Sequence, residues 1–239
     1  MLTIARSEFA QILRNRLVLI TGFLLPTASA AFLIRQRELF ADVGGLGYIA
    51  TVLVFTVGAL GLYSSAVTTL ASRRQTLFLK RLRSTAASDA GILTGLLLPI
   101  AAVALIQISA LLAVLAVVAT VPASFPLLVI AVLGVLSMML GLGLATAGLT
   151  NSPEHAQITT LPVVLGTIAV SIWVGITGTD DLTAVKLLLP GGAAADLAAR
   201  AWNGGTALPD ALLLLAPTLG WIAVAVTLAF RLFRWEPRR

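Results

Sequence analysis

The sequence predicts an all-α polytopic membrane protein. Six transmembrane helices are expected, with an N-terminal amphipathic interfacial helix and a re-entrant hairpin between helices five and six. Three observations carry this. Of 239 residues, 59% are hydrophobic and 11% charged, against about 25% charged in a soluble domain, and the mean hydropathy is +1.02. Apolar runs recur at about 20 residues, the length that crosses a bilayer. The charges sit in the short connectors between those runs, so residues 1–239 read as one membrane domain with no appended soluble domain.

Residues 1–16 read as the interfacial helix. Leu2, Ala5, Phe9, Ile12, Leu13 and Leu17 recur at helical spacing, and Ser7, Glu8, Gln11, Arg14 and Asn15 take the other face. Arg14 and Arg16 close the segment. It serves either as a positive-inside anchor or as a helix that also touches a cytoplasmic partner. A basic start, an apolar run and Ala28-Ser29-Ala30 also fit a cleaved signal peptide. Against that, the segment ahead of the apolar run is long for an n-region, contains Glu8 and is itself patterned.

The spans are expected at 17–34, 48–70, within 91–121, and at 125–149, 158–177 and 211–230. Pro26, Pro99, Pro162 and Pro217 fall within or near their ends, where membrane helices tolerate proline. Between spans two and three, loop 72–90 carries Arg73, Arg74, Lys80, Arg81 and Arg83. Arg73 and Lys80 are seven apart, as are Arg74 and Arg81, and Leu77, Phe78 and Leu82 cover the adjoining face. A short helix with one basic and one apolar face fits. The plainer alternative is that these bases orient the protein and bind anionic lipid. In span four, Ser137, Gly141 and Ala145 repeat every four residues, a pattern for close helix contact within the chain or between subunits. Connector 178–210 holds two short apolar pieces broken at Pro190-Gly191-Gly192, too short to cross. They suggest a re-entrant hairpin, with an ordinary surface loop as the alternative.

Six spans place both termini on one side. Twelve of the sixteen basic residues fall on that side, and Arg35, Arg37, Lys186 and Arg200 on the other. The positive-inside rule puts the termini and loop 72–90 in the cytoplasm. The net charge of +6 therefore reads as membrane orientation, and nucleic acid is not an expected partner. Arginine outnumbers lysine fourteen to two, which suggests a GC-rich bacterial genome.

Classical catalysis finds little support. There is no cysteine and one histidine, His155, so thiolate and paired-histidine metal sites are excluded. His155 and Glu154 read as solvated residues of the connector between spans four and five. No histidine or lysine lies within a predicted span, and no Asp, Glu or Arg well inside one, which argues against a proton-coupled carrier. A P-loop needs Gly-Lys-Ser/Thr. Lys80 is followed by Arg81 and Lys186 by Leu187, so any ATP is bound by another subunit. Gln107 and Ser109 lie in span three.

The segment Arg73-Arg74-Gln75-Thr76-Leu77-Phe78-Leu79-Lys80-Arg81-Leu82-Arg83-Ser84-Thr85 resembles the charged stretch after span two in the membrane subunits of ABC-2 type exporters, E/R-R-x-x-G-T-L-x-R-L-R-x-T. It departs from the usual acidic residue and glycine, and Ser171-Ile172-Trp173-Val174-Gly175 stands where that family often closes span five with Ser-Gly. The amphipathic start and the proline-containing outer connector match architecturally. The resemblance implies a permease without its own ATPase site. Arg73, Arg74, Thr76, Leu77, Phe78, Lys80, Arg81, Leu82 and Arg83 would form a coupling helix seated on a cytoplasmic ABC ATPase that binds ATP and Mg. Glu8, Phe9, Arg14 and Arg16 would brace it, and Pro190, Gly191 and Gly192 would bend the outer hairpin. A second copy or a paralogous permease would complete the pathway in a bacterial plasma membrane. The cargo would be a hydrophobic drug or a lipid-like molecule. The competing reading is a non-transporting sensor or scaffold whose basic loop recruits a cytoplasmic partner.

Overall fold

The computed structural model describes residues 20–84, 88–205 and 208–235, and every regular element among them is helical. The interfacial helix expected at 1–16, with Glu8, Phe9, Arg14 and Arg16, lies outside the described residues. Five helices are long and apolar enough to cross a membrane: α2 (Asp42–Gln75), α4 (Asp89–Val118), α5 (Phe125–Leu149), α6 (Pro153–Thr177) and α9 (Pro209–Leu232). The first apolar run is described as the shorter α1 (Gly22–Arg35). Three short helices are α3 (Phe78–Arg83), α7 (Thr183–Leu188) and α8 (Gly192–Asn203), and residues 37–41 are helical ahead of α2. The chain direction alternates. One end of the bundle therefore collects Arg73 to Arg83 and Arg231 to Arg234, and is called the basic end below.

The helix ends follow local chemistry. Ser88 caps α4, its Oγ accepting from Gly91 N at 3.2 Å, with Asp89 in the first turn. Ser152 caps α6 by accepting from His155 N, and Pro153 takes the first position, where a missing N–H costs nothing. Glu154 and His155 are exposed, as expected, but they belong to this helical turn and not to a loop. Pro162 cannot bond one turn back, and the helix resets at Thr160 between Pro153–Thr159 and Leu161–Thr177. Pro217 produces a similar reset at Leu214 in α9. Pro26 follows a π-helical turn at Ile20–Leu24, and Pro99 is accommodated inside α4.

α2 is the most buried of the five long helices and α9 the least. Two irregularities shape α2. Gly45 adopts φ 70°, ψ −175°, which breaks the helix near its start. Asn203 at the end of α8 spans the break: its Oδ1 accepts from Gly47 N at 2.8 Å and its Nδ2 donates to Gly44 O at 3.3 Å. Lower down, Val57–Tyr63 is π-helical. Ser64 Oγ donates to Ala59 O there, and Tyr63 Oη donates to Thr146 Oγ1 at 3.0 Å on α5. Gln107 of α4 donates its side-chain amide to Phe23 O and Thr27 Oγ1 on α1, each at 3.1 Å, and so anchors the irregular start of α1.

α5 and α9 run in the same direction and meet through glycines seven residues apart. A Cβ on Gly134 would stand 3.0 Å from Thr218 Cγ2, and one on Gly141 2.8 Å from Ala225 Cβ. One on Gly148 would strike Leu232 O. Seven-residue spacing on both faces is that of nearly parallel, left-handed packing. The expected close-contact pattern in span four thus serves packing within the chain. Its working positions are Gly134, Gly141 and Gly148, and Ser137 is exposed.

Candidate functional site

At the basic end, α2 runs on through Arg73 and Arg74, about a turn further than the expected end at Leu70. Residues 72–84 are therefore helix, turn, helix. Arg74 is 2% exposed. Its guanidinium donates to Thr150 O at the end of α5 and to Arg234 O, 3.4 Å away, just beyond α9. Both acceptors lie at helix C-termini, where carbonyls lack partners and the dipole is negative. This buried cation is consequently matched to its surroundings.

The turn then reverses the chain. Thr76 N donates to Ser72 O and Leu77 N to Arg74 O, and Leu77 sits in the left-handed region at φ 57°, ψ 15°. That is the usual termination of a helix, with leucine in the place glycine favours. α3 follows. Leu79 is fully buried, and Phe78 and Leu82 pack against the core. Thr76, Leu77, Lys80, Arg81 and Arg83 are exposed. Arg73 lies over the Phe78 ring at 5.0 Å, and Arg81 donates to Thr76 O at 3.2 Å. Arg83 pairs with Asp89 at 3.0 Å and lies 4.9 Å from the centroid of Trp235. Of the nine residues expected to act together, Arg74, Phe78 and Leu82 thus face the bundle. Lys80 and Arg81 form the outward basic face.

At the opposite end, α7 and α8 meet at Leu189-Pro190-Gly191. Gly191 has φ 86°, which glycine alone adopts without strain, and it opens α8. It lies beside Phe55 of α2 and Met138 of α5. Phe55 is ten residues along from Gly45, so the bend sits about 15 Å down α2. α8 is buried nearly throughout, and its run of alanines lets it pack between α2, α5 and α6. Lys186 is 1% exposed. Its ammonium donates to Thr177 Oγ1 and Gly178 O, each at 2.8 Å, capping the C-terminus of α6, and lies 5.4 Å from the Trp173 centroid. Asp196 is buried too, accepting from Thr179 Oγ1 at 2.7 Å and pairing with Arg200 at 2.9 Å.

No protein-family model matches this chain, and no curated protein sequence matches it.

Between α4 and α5, toward the end remote from the basic one, lies a groove of about 550 Å³. Its walls include Ile108, Leu112, Leu128, Val132, Ser109 and Trp202. That volume lies within the span of small-molecule pockets, roughly 300–1,000 Å³, and the lining suits an aliphatic ligand. Among the described residues, no group of His, Asp and Glu has the spacing to hold a metal ion.

Sequence reasoning missed Arg74, Lys186 and Asp196 as buried charges. All three flank apolar runs, where a connector charge reads as solvated. One signal was available for Lys186: it follows closely on a helix end, where lysine caps carbonyls.

Proposed function

We propose that this chain is the membrane subunit of an ABC-2 type exporter, driven by ATP that a separate cytoplasmic ABC ATPase binds with Mg. The observation that carries the reading is the conformation of Leu77. Glycine stands at this position in the family's charged stretch, and Leu77 holds the left-handed φ of 57° that such a glycine would supply. The stretch also sorts by face. Its leucine positions, Leu79 and Leu82, turn inward, while Arg81 turns outward beside Lys80. A basic helix braced from behind by apolar contacts is suited to an acidic groove on a motor.

The remaining architecture follows this reading. The first apolar run, 17–34, is a sixth span, and residues 1–16 lie in the headgroup layer beside α3. Both termini are cytoplasmic, in a bacterial plasma membrane. Residues 178–210 form a re-entrant hairpin whose bend, Pro190-Gly191-Gly192, closes the outer end of the pathway. The depth of Gly191 beside Phe55 supports this. A second copy or a paralogous permease packs on faces such as that of α9, which is largely unburied. The apolar groove and the lack of charge along the span interiors favour a hydrophobic drug or lipid-like cargo.

The test is purification of the tagged chain from native membranes beside a Lys80→Glu, Arg81→Glu double variant. ATPase activity should accompany the parent chain and be lost from the variant, with equal membrane insertion. A fully inserted parent chain that carries no ATPase activity sinks the reading.

A further inference from the structure

α3 packs on the ends of α2 and α4. Six residues are too few to hold a helix on their own, so its position depends on tertiary contacts. Two residues extend those contacts to other helices. Arg74, just before the turn, donates to Thr150 O and Arg234 O, which joins the end of α2 to the ends of α5 and α9. Trp235, beyond α9, lies under the guanidinium of Arg83 at 4.9 Å. It stacks edge-on against Phe233 at 5.3 Å, and both rings pack against the core. The chain leaves α9 at Phe233 in extended form, which carries residues 233–235 back across the basic end.

We propose that residues 233–235 form a clasp in which Trp235 ties the basic helix α3, and Arg74 the adjoining end of α2, to the α5 and α9 pair, both acting as positioning residues. The tie joins a rigid unit, because α5 and α9 interlock through Gly134, Gly141 and Gly148. A push on α3 would move those two helices together instead of α2 alone. What pushes α3 rests on the coupling reading above; the tie itself is a property of this chain and needs no partner.

The test is a distance measurement between paired spin labels on the purified chain in lipid. The chain has no cysteine, so introduced cysteines label cleanly. Lys80→Cys on α3 and Leu219→Cys on α9 report the tie; Ile106→Cys and Leu219→Cys report the bundle. The parent should show one narrow distance for each pair. Trp235→Leu should broaden only the first, and Trp235→Phe, which keeps a ring face for Arg83, should leave it narrow. A first distance as narrow in Trp235→Leu as in the parent overturns the clasp, because the seat on α2 and α4 would then position α3 alone. If Trp235→Leu also broadens the bundle pair, Arg83→Gln is read against Asp89→Asn, which removes the pair on α4 and leaves Trp235 its cation; a first distance no broader in Arg83→Gln than in Asp89→Asn overturns the clasp. None of these distances depends on ATPase binding, so a chain that recruits no motor fails the functional reading and leaves this one to be judged separately.

Discussion

Replacing Arg74 by alanine separates its role from that of the other bases beside it. The side chain is 2% exposed, and its guanidinium serves Thr150 O and Arg234 O. A hydrogen bond from a charged group contributes roughly 1.5–3 kcal/mol, and a buried carbonyl left without its donor bears the desolvation cost. The contact to Arg234 O, at 3.4 Å, is the weaker of the two. A loss of about 4 kcal/mol is therefore expected for the pair. For a chain of this length that is a fall in Tm of roughly 8–16 °C. Arg74→Lys should fall between, since an ammonium lacks the fork that reaches two acceptors. Lys80→Ala, on the exposed face, should stay within about 0.5 kcal/mol of the parent. The assay is loss of the monodisperse peak in size-exclusion chromatography after stepwise heating in detergent. If Arg74→Ala melts within about 2 °C of Lys80→Ala, Arg74 is not a structural cation and the account of the basic end fails.

Three further outcomes are expected. Gly141→Leu should destabilise by about 1–3 kcal/mol, because its side chain would enter α9 at Ala225, whereas Gly220→Ala, with nothing within 4 Å, should stabilise by up to about 1 kcal/mol; thermal melting of the two variants checks both. Single cysteines at Ser84 and Asn151 should react with an impermeant reagent only from the cytoplasm, and those at Asp42 and Asp181 only from outside; labelling of Ser84 from outside reverses the orientation. Cysteines at Leu188 and Leu197 should both resist such a reagent, Leu197 because protein buries it and Leu188, 71% exposed, because it faces lipid; free reaction at Leu188 would place the bend in water.

Much of the helical layout was legible because lipid demands long apolar runs, and span four matched residue for residue at Phe125–Leu149. The prolines read as tolerated within or near span ends; Pro99 is accommodated inside α4, whereas the helix resets just ahead of Pro162 and Pro217. What the sequence hid depends on which helices become neighbours. Arg74 looks like Arg73 until α5 and α9 bring their last carbonyls to it. The glycines at 134, 141 and 148 share a seven-residue spacing, but its meaning depends on Thr218, Ala225 and Leu232 lying opposite. The broken apolar pieces of connector 178–210 were legible, but not the burial of Lys186 and Asp196, whose partners are set by how the end of α6 meets α7 and α8. Of the basic segment, the inward place of Phe78 and Leu82 was foreseen, but Leu77, expected beside them, is exposed, and Leu79 and Arg74 are the buried residues. The tail that braces the segment was not foreseen, since Trp235 lies far along the chain.

The π-helical stretch in α2 bears on which changes of length the fold can absorb. A π turn holds one more residue than an α turn. Removing one residue from an ordinary transmembrane helix rotates everything beyond it by about 100° and lifts it by about 1.5 Å. Within Val57–Tyr63 the deletion can instead be taken up by conversion to α-helix. Thr51 would then keep its bond to Ala195 O above the site, and Arg74 its two carbonyls below. The same deletion in α5 would carry Gly141 and Gly148 away from α9. Among related chains, single-residue differences in the length of span two should therefore concentrate in this stretch, with the halves on either side keeping their faces.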